Sequence, residues 1–203
     1  MRLAIFASGG GSNAEALMAM AITRGTPYDV VLCITNRTDA GVIERAGRYD
    51  VPVEVLTAEQ IASGPAMLDV LKRYDVEAIA LAGYLKMIPV EVVQAFRHRI
   101  LNIHPALLPS FGGHGMYGLN VHRAVVDSGV RWSGVTVHLV DEGYDTGPIV
   151  LQEVVPVEPD DSPEVLAARV LRTEHMIYTT AVRLLAEGRL KVDGRKVRVL
   201  ERD

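Results

Sequence analysis

The run Leu101-Asn102-Ile103-His104-Pro105 sets an amide and an imidazole two residues apart. Successive side chains of a strand point to opposite faces, so in a strand Asn102 and His104 share one face. Pro105 ends such a strand and fixes the direction in which the chain leaves it. An amide and an imidazole side by side can both donate hydrogen bonds to one oxygen, which acyl transfer requires as a carbonyl becomes a tetrahedral oxyanion. A lone histidine in an apolar stretch is ordinarily a satisfied core residue; the asparagine at strand spacing argues for chemistry instead. A third group is then wanted to hold or charge the imidazole. The segment Asp141-Glu142-Gly143-Tyr144-Asp145-Thr146-Gly147-Pro148 offers Asp141, Glu142 and Asp145, and spacing does not choose among them. Whichever carboxylate lies near His104 is expected to raise its pKa and favour the charged, donating form.

A second cluster is Ala7-Ser8-Gly9-Gly10-Gly11-Ser12-Asn13, between a first apolar run and a first helical pattern. Helix N-termini carry unpaired N–H groups and partial positive charge, and glycines let an anion approach them closely. Ser12 and Asn13 add side-chain donors for a phosphate, or cap the helix. A tight turn with a good cap needs no three consecutive glycines, so an anion site is the reading preferred. Gly9-x-Gly11-x-x-Ala14 also fits the dinucleotide fingerprint, which expects an acidic residue about 20 residues on, after the second strand. Here that strand ends Thr35-Asn36-Arg37, with Asp39 beyond. Arg37 would suit a 2′-phosphate, so an NADP-dependent oxidoreductase stays open as an alternative; Ser-Asn in the turn suits a monophosphate better. His98, His114, His122, His138 and His175 show no zinc-helix spacing, and no metal is expected. His138, in an alternating stretch, either lines the site or faces solvent. Cys33, the single cysteine, lies in the apolar run Val30-Val31-Leu32-Cys33-Ile34 and reads as a small buried hydrophobe.

These residues need elements to position them. Short apolar runs at 3–7, 30–35, 53–56, 78–82 and 100–103 read as buried strands. Between them, helical patterns occupy 14–24, 40–49, 67–74 (the latter part of a helix) and 90–96. Strand-helix alternation predicts a mostly parallel sheet with helices on both faces, ligands gathering at the carboxyl ends of the strands. The second half differs: 132–140 and 149–157 read as an antiparallel pair, 162–187 as one long capped helix, and 190–200 as a hairpin around Asp193-Gly194. One α/β domain over 1–189, with 190–203 as a tail packed on it, is expected.

The 203 residues are 49% hydrophobic and 23% charged, which excludes a disordered chain and a disulfide-stapled miniprotein. A net charge of −4 disfavours a protein built to grip nucleic acid. The apolar start of the chain is too short for a signal peptide or membrane span. The expectation is a cytoplasmic protein with small-molecule partners, neither nucleic acid nor membrane, as monomer or homodimer.

Ser8-Gly9-Gly10-Gly11-Ser12-Asn13, Leu81-Ala82-Gly83-Tyr84-Leu85-Lys86-Met87-Ile88, Asn102-Ile103-His104-Pro105-Ala106-Leu107-Leu108-Pro109 and Val137-His138-Leu139-Val140-Asp141 through Gly147-Pro148-Ile149 occur in this order. Together they resemble the folate-dependent glycinamide ribonucleotide formyltransferases of purine biosynthesis, over residues 2–189. The resemblance implies a single-domain Rossmann-like formyltransferase fold and transfer of a formyl group from 10-formyltetrahydrofolate, as co-substrate, to the glycinamide amine. It implies that Asn102, His104 and Asp145 are the catalytic trio, and that Gly11, Ser12 and Asn13 hold the substrate phosphate. Glu174 would hold the sugar. Leu85, Lys86, Met87, Ile88, Asn102 and Asp141 would hold the folate, largely through backbone contacts to the pterin. A formyltetrahydrofolate hydrolase uses the same trio with water as acceptor. An extra N-terminal domain typical of that enzyme, or the extra C-terminal domain of methionyl-tRNA formyltransferase, is not expected here. Lys86 stands where many members carry arginine, and 58–65 lacks the arginine that often approaches the folate. The glycine-rich stretch 110–118 is expected to form a mobile flap.

Overall fold

The computed structural model describes residues 1–201. In chain order the elements are β1 (Arg2–Phe6), α1 (Ser12–Ala21), β2 (Asp29–Thr35), α2 (Val42–Gly47), β3 (Val53–Val55), α3 (Ala58–Ala62) and α4 (Gly64–Arg73). Then come β4 (Ala78–Leu81), α5 (Val90–Ala95), β5 (Ile100–His104), α6 (Leu119–Asp127), β6 (Trp132–Leu139), β7 (Ile149–Pro156), α7 (Pro163–Ala186), β8 (Leu190–Asp193) and β9 (Lys196–Val199).

All the strands form one sheet in the order β3-β2-β1-β4-β5-β6-β7-β9-β8. The five strands from β3 to β5 are parallel. Pairing turns antiparallel at β5–β6 and β6–β7. The β8–β9 hairpin closes the edge, joined to β7 by the single parallel pair Ile149–Lys196. This is the mostly parallel α/β architecture with an antiparallel C-terminal part that the residue pattern predicts.

Strand alternation divides the core. Leu3 and Ile5 of β1 join Leu17, Met18, Val121, Leu166 and Tyr178 on the face covered by α1, α6 and α7. Ala4 and Phe6 join Met67, Leu71, Val92 and Val93 on the face covered by α4 and α5. Leu3 through Phe6 are fully buried, because β1 has strands on both edges and helices on both faces, hence the unbroken apolar run.

Two helices escape the sequence reading. α3 is a five-residue turn held by a capping box between Thr57 and Gln60, too short to show a periodicity. α6 follows the glycine-rich stretch and buries only Val121, His122 and Val125, so its apolar stripe includes a histidine. α1 begins at Ser12, two residues earlier than its pattern suggests, because Gly11 at φ 76° supplies the turn. Among the described residues, no helix is long and apolar enough to cross a membrane.

The fold places the carboxyl ends of β1, β4 and β5 together, at the point where strand order reverses. Ser8 knots the loops that leave there. Its backbone N–H donates to Gly83 O (3.0 Å), and its hydroxyl donates to Asn36 Oδ1 (2.6 Å) while accepting from Leu85 N–H (2.9 Å).

Candidate active site

β5 delivers Asn102 and His104 to a cavity of about 500 Å³ at this end of the sheet; Asn13, His122, Asp145 and Glu174 also line it. The amide and imidazole do share a face, as strand spacing requires. Pro105 turns the chain away, and Thr136 on β6 holds that turn. Its hydroxyl donates to Ala106 O (2.7 Å) and accepts from Leu108 N–H (3.0 Å).

Of the three candidate carboxylates, Asp145 is the one beside the pair. Its Oδ2 lies 3.6 Å from His104 Nδ1, a direct approach of the two groups. Asn102 Nδ2 lies 3.4 Å from Asp145 Oδ1, and Gly113 N–H donates to Oδ2 at 2.9 Å. Asp145 adopts φ 54°, the left-handed region, which turns its carboxylate in from the loop. Asp141 instead organises that loop, accepting from Gly143 N–H (3.1 Å) and the Thr146 hydroxyl (2.6 Å). Burial pushes the Asp145 carboxyl up. Hydrogen bonds from His138 and Gly113, and the charges of His104 and His138, outweigh it, so Asp145 stays below the usual carboxylate range.

His104 departs from expectation. It is 3% exposed, and its Nε2–H donates to Phe111 O at 2.8 Å. Burial lowers its pKa. Asp145 and the Phe111 carbonyl pull the other way, His138 adds to the lowering, and the net shift is down rather than up. The imidazole sits too deep for one carboxylate at 3.6 Å to offset the lost hydration. His104 is therefore neutral near pH 7.

His138 answers the alternative left open for it: it lies in the site, 2% exposed, and not toward solvent. It pairs with Asn102 across the β5–β6 ladder. Its Nδ1 lies 2.9 Å from Leu139 O, and its Nε2 lies 3.0 Å from Asn102 Nδ2 and 3.5 Å from Asp145 Oδ1. Asn102 is thereby oriented, and its second N–H, toward Asp145, is the one available to an incoming oxygen. The period-two pattern of β6 held this signal, but the partner strand was needed to read it.

At the other wall, Gly11 is the residue before α1 and no side chain caps the helix, so its first N–H groups face outward. Gly11 and Ser12 stand beside Asn13 at this N-terminus, outside the cavity lining itself. The Asn13 side chain turns to α7: its Nδ2 donates to Glu174 Oε2 at 2.7 Å, and its buried Oδ1 has no partner. Glu174 lies on α7, 161 positions away, and burial raises its pKa despite the Asn13 bond.

Lys86, Met87, Ile88 and Asp141 line a second, narrower cavity of about 80 Å³. Leu85 lines the large one instead. Tyr84, Asn102, Tyr144 and Asp145 belong to both linings, so the two spaces meet at Asn102 and Asp145. The stretch expected to be a flap is tied to the site through Phe111 O and Gly113 N–H, and His114 meets Tyr144 edge-on at 5.9 Å. Arg37, on which the NADP alternative rests, is paired with Asp39 at 2.8 Å.

Residues 1–182 match the family model described as Formyl transferase. The chain is 49% identical over 195 residues to a chloroplastic phosphoribosylglycinamide formyltransferase of Arabidopsis thaliana, covering 94% of this chain and 67% of that protein. It thus spans about two thirds of that plant relative. A glycinamide ribonucleotide transformylase from Symbiobacterium toebii superposes with a TM-score of 0.91 at 40% identity, over 99% of this chain and 94% of that one. A formyltetrahydrofolate deformylase from Pseudomonas syringae superposes with a TM-score of 0.87 at 25% identity, over 98% of this chain and 66% of that one.

Proposed function

The chain belongs to the formyl transferase family and transfers formyl groups in purine biosynthesis; from that premise we propose that the donor is 10-formyltetrahydrofolate, the acceptor the amine of phosphoribosylglycinamide, and the catalytic trio Asn102, His104 and Asp145. The carrying observation is the meeting of two cavities at Asn102 and Asp145. One is walled by an uncapped helix N-terminus and Glu174, which suit a phosphate and a sugar. The other, smaller one is lined by Lys86, Met87 and Ile88 on one side and by Asp141, Gly143 and Tyr144 on the other, where the donor's pterin would lie.

In this reading Gly11, Ser12 and Asn13 hold the acceptor phosphate through backbone N–H groups, and Glu174 accepts from sugar hydroxyls. Leu85, Lys86, Met87, Ile88 and Asp141 border the donor. Asn102 gives its second N–H to the formyl oxygen as the amine attacks the formyl carbon. His104 Nε2–H, now given to Phe111 O, is taken over by the same oxygen. The new C–N bond forms on the glycinamide nitrogen, and the C–N bond to the donor breaks. The amine's proton passes to His104 Nδ1, the nitrogen left free while Nε2–H stays on the oxyanion, and from there to the departing nitrogen. Asp145, 3.6 Å from Nδ1, stabilises the imidazolium on the way. The nucleophile is the substrate's own amine, so no covalent enzyme intermediate is involved. The action is on small molecules, and a cytoplasmic setting belongs to the same proposal.

The test is loss of the formyl group from 10-formyltetrahydrofolate, followed by absorbance with and without phosphoribosylglycinamide. Turnover that requires the amine supports the reading; equal turnover without it means the hydrolase, with water as acceptor. His104→Ala and Asp145→Asn are expected to lose at least about a hundredfold in kcat with the fold retained. Unaltered turnover in either removes that residue from the trio.

A further inference from the structure

The loop from Val140 to Pro148 carries Asp145 into the site, and it is held both by bonds within it and by bonds to other parts of the chain. Asp141 accepts from Gly143 and Thr146, and at the base Leu139 N–H donates to Pro148 O at 2.9 Å. These bonds set the loop's shape. Bonds from distant parts of the chain then fix where the loop stands: Val140 N–H donates to Ile100 O at 3.0 Å, Gly113 N–H to Asp145 Oδ2 at 2.9 Å, and Arg195 Nη2 to the carbonyl of Thr146, the residue after Asp145, at 3.0 Å.

Arg195 is well placed to act as a fixed point. Asp193 pairs with Lys196, so Gly194-Arg195 is the two-residue connection of the β8–β9 hairpin, with Gly194 at φ 57°. Such a tight connection aims its side chain from a constrained backbone. Lys196, the next residue, pairs with Ile149, the first residue of β7 after the loop. The hairpin therefore grips the loop's exit by a strand pair and the residue next to Asp145 by a guanidinium. Arg195 lies beyond residues 1–182, the part matched by the family model.

We propose that Arg195 is a positioning residue for formyl transfer: through Thr146 it holds the Asp145 loop in register with Asn102 and His104. The proposal rests on Asp145 being catalytic, as argued above. The same loop borders the narrow cavity through Asp141, Gly143 and Tyr144. A loosened loop therefore weakens donor binding along with turnover, and leaves the wall made by Asn13 and Glu174 untouched. One misplaced catalytic group at the end of a softened loop is worth about three- to tenfold in rate.

The experiment is steady-state kinetics of full-length Arg195→Ala, Arg195→Lys and Arg198→Ala with 10-formyltetrahydrofolate and phosphoribosylglycinamide, with Asp145→Asn beside them. Expected for Arg195→Ala is a kcat lowered three- to tenfold, a raised donor KM and an unchanged acceptor KM. Arg195→Lys restores part of the loss. Arg198→Ala removes the same charge from β9 and changes neither constant. Unchanged kcat and donor KM in Arg195→Ala overturn the proposal. So does a lower kcat with both KM values unchanged and a lower melting temperature, which marks a purely structural role. If Asp145→Asn is itself fully active, the catalytic reading fails instead, and the two failures are told apart.

Discussion

Tyr178 and Tyr84 share a side chain but not a situation. The Tyr178 hydroxyl, fully buried on α7, lies 2.8 Å from Leu81 O at the end of β4 and 3.1 Å from Leu101 O near the start of β5. It ties the long helix to the two strands that end at the active site. Tyr84 is 8% exposed, its ring is edge-on to Phe6 at 5.2 Å, and its hydroxyl has no partner. Burial pushes that hydroxyl's pKa up to about 12, so it stays protonated. A buried hydrogen bond lost on one side costs about 1–3 kcal/mol, whereas removing an unpaired polar group costs little or stabilises. Tyr178→Phe is therefore expected to destabilise by about 1–2 kcal/mol, and Tyr84→Phe to leave stability equal or higher. Chemical denaturation of both variants checks the opposite signs, and equal losses would contradict this reading of the two hydroxyls.

At the scale of elements, the glycine turn before α1 is the most demanding piece. Gly11 stands at φ 76°, and a methyl group there would meet Val42 Cγ2 at 2.6 Å. Both conformation and space therefore require glycine. Gly11→Ala is expected to lose about 1–3 kcal/mol of stability, since a left-handed residue with a side chain costs about 1–2 kcal/mol before any clash. Because α1's N–H groups turn with it, the acceptor KM is expected to rise while the donor KM holds. Steady-state kinetics with each substrate varied in turn separates the two. The three-glycine run in the sequence announced this demand, since only an unusual backbone uses such freedom. α6 was not announced. Its short amphipathic stripe carries His122 where an apolar residue would be expected, and that histidine faces the cavity. A binding wall mixes polar and apolar side chains, which blurs the periodicity by which a helix is recognised.

Across the whole molecule, the buried histidines make stability depend on pH. Burial, first among the causes, holds His104, His122 and His175 below the ordinary imidazole value of 6.5. The unfolded chain binds a proton at each as pH falls through 6.5, while the native protein declines it until lower pH. Stability is therefore unaffected by these groups well above 6.5 and falls as pH drops below it. Asp145 adds a later loss: its carboxyl is held below its ordinary value of 3.8, so its contribution is present above that pH and is lost as pH falls through the native value. Glu174, whose carboxyl pKa burial raises, gains stability as pH falls and opposes this loss. The histidine effect is therefore read as a difference: between pH 7 and pH 5 the melting temperature of the parent protein is expected to fall relative to that of His104→Gln. An equal slope in that variant would show that His104 titrates alike in both states.

Local composition determined much of this protein. Continuous apolar runs marked strands buried on both faces, the glycine run marked a helix start without a side-chain cap, and strand spacing put Asn102 and His104 on one face. Each of these is a property of residues adjacent in the chain, where backbone geometry alone dictates which side chains meet. What only the tertiary structure decided lies between distant segments: Asp145 rather than Asp141 or Glu142 at the imidazole, His138 opposite Asn102, and Glu174 on Asn13. The protonation of His104 belongs there too. It depends on how much water the surrounding helices and loops remove set against one carboxylate at 3.6 Å, and that balance exists only once the chain has closed around the site.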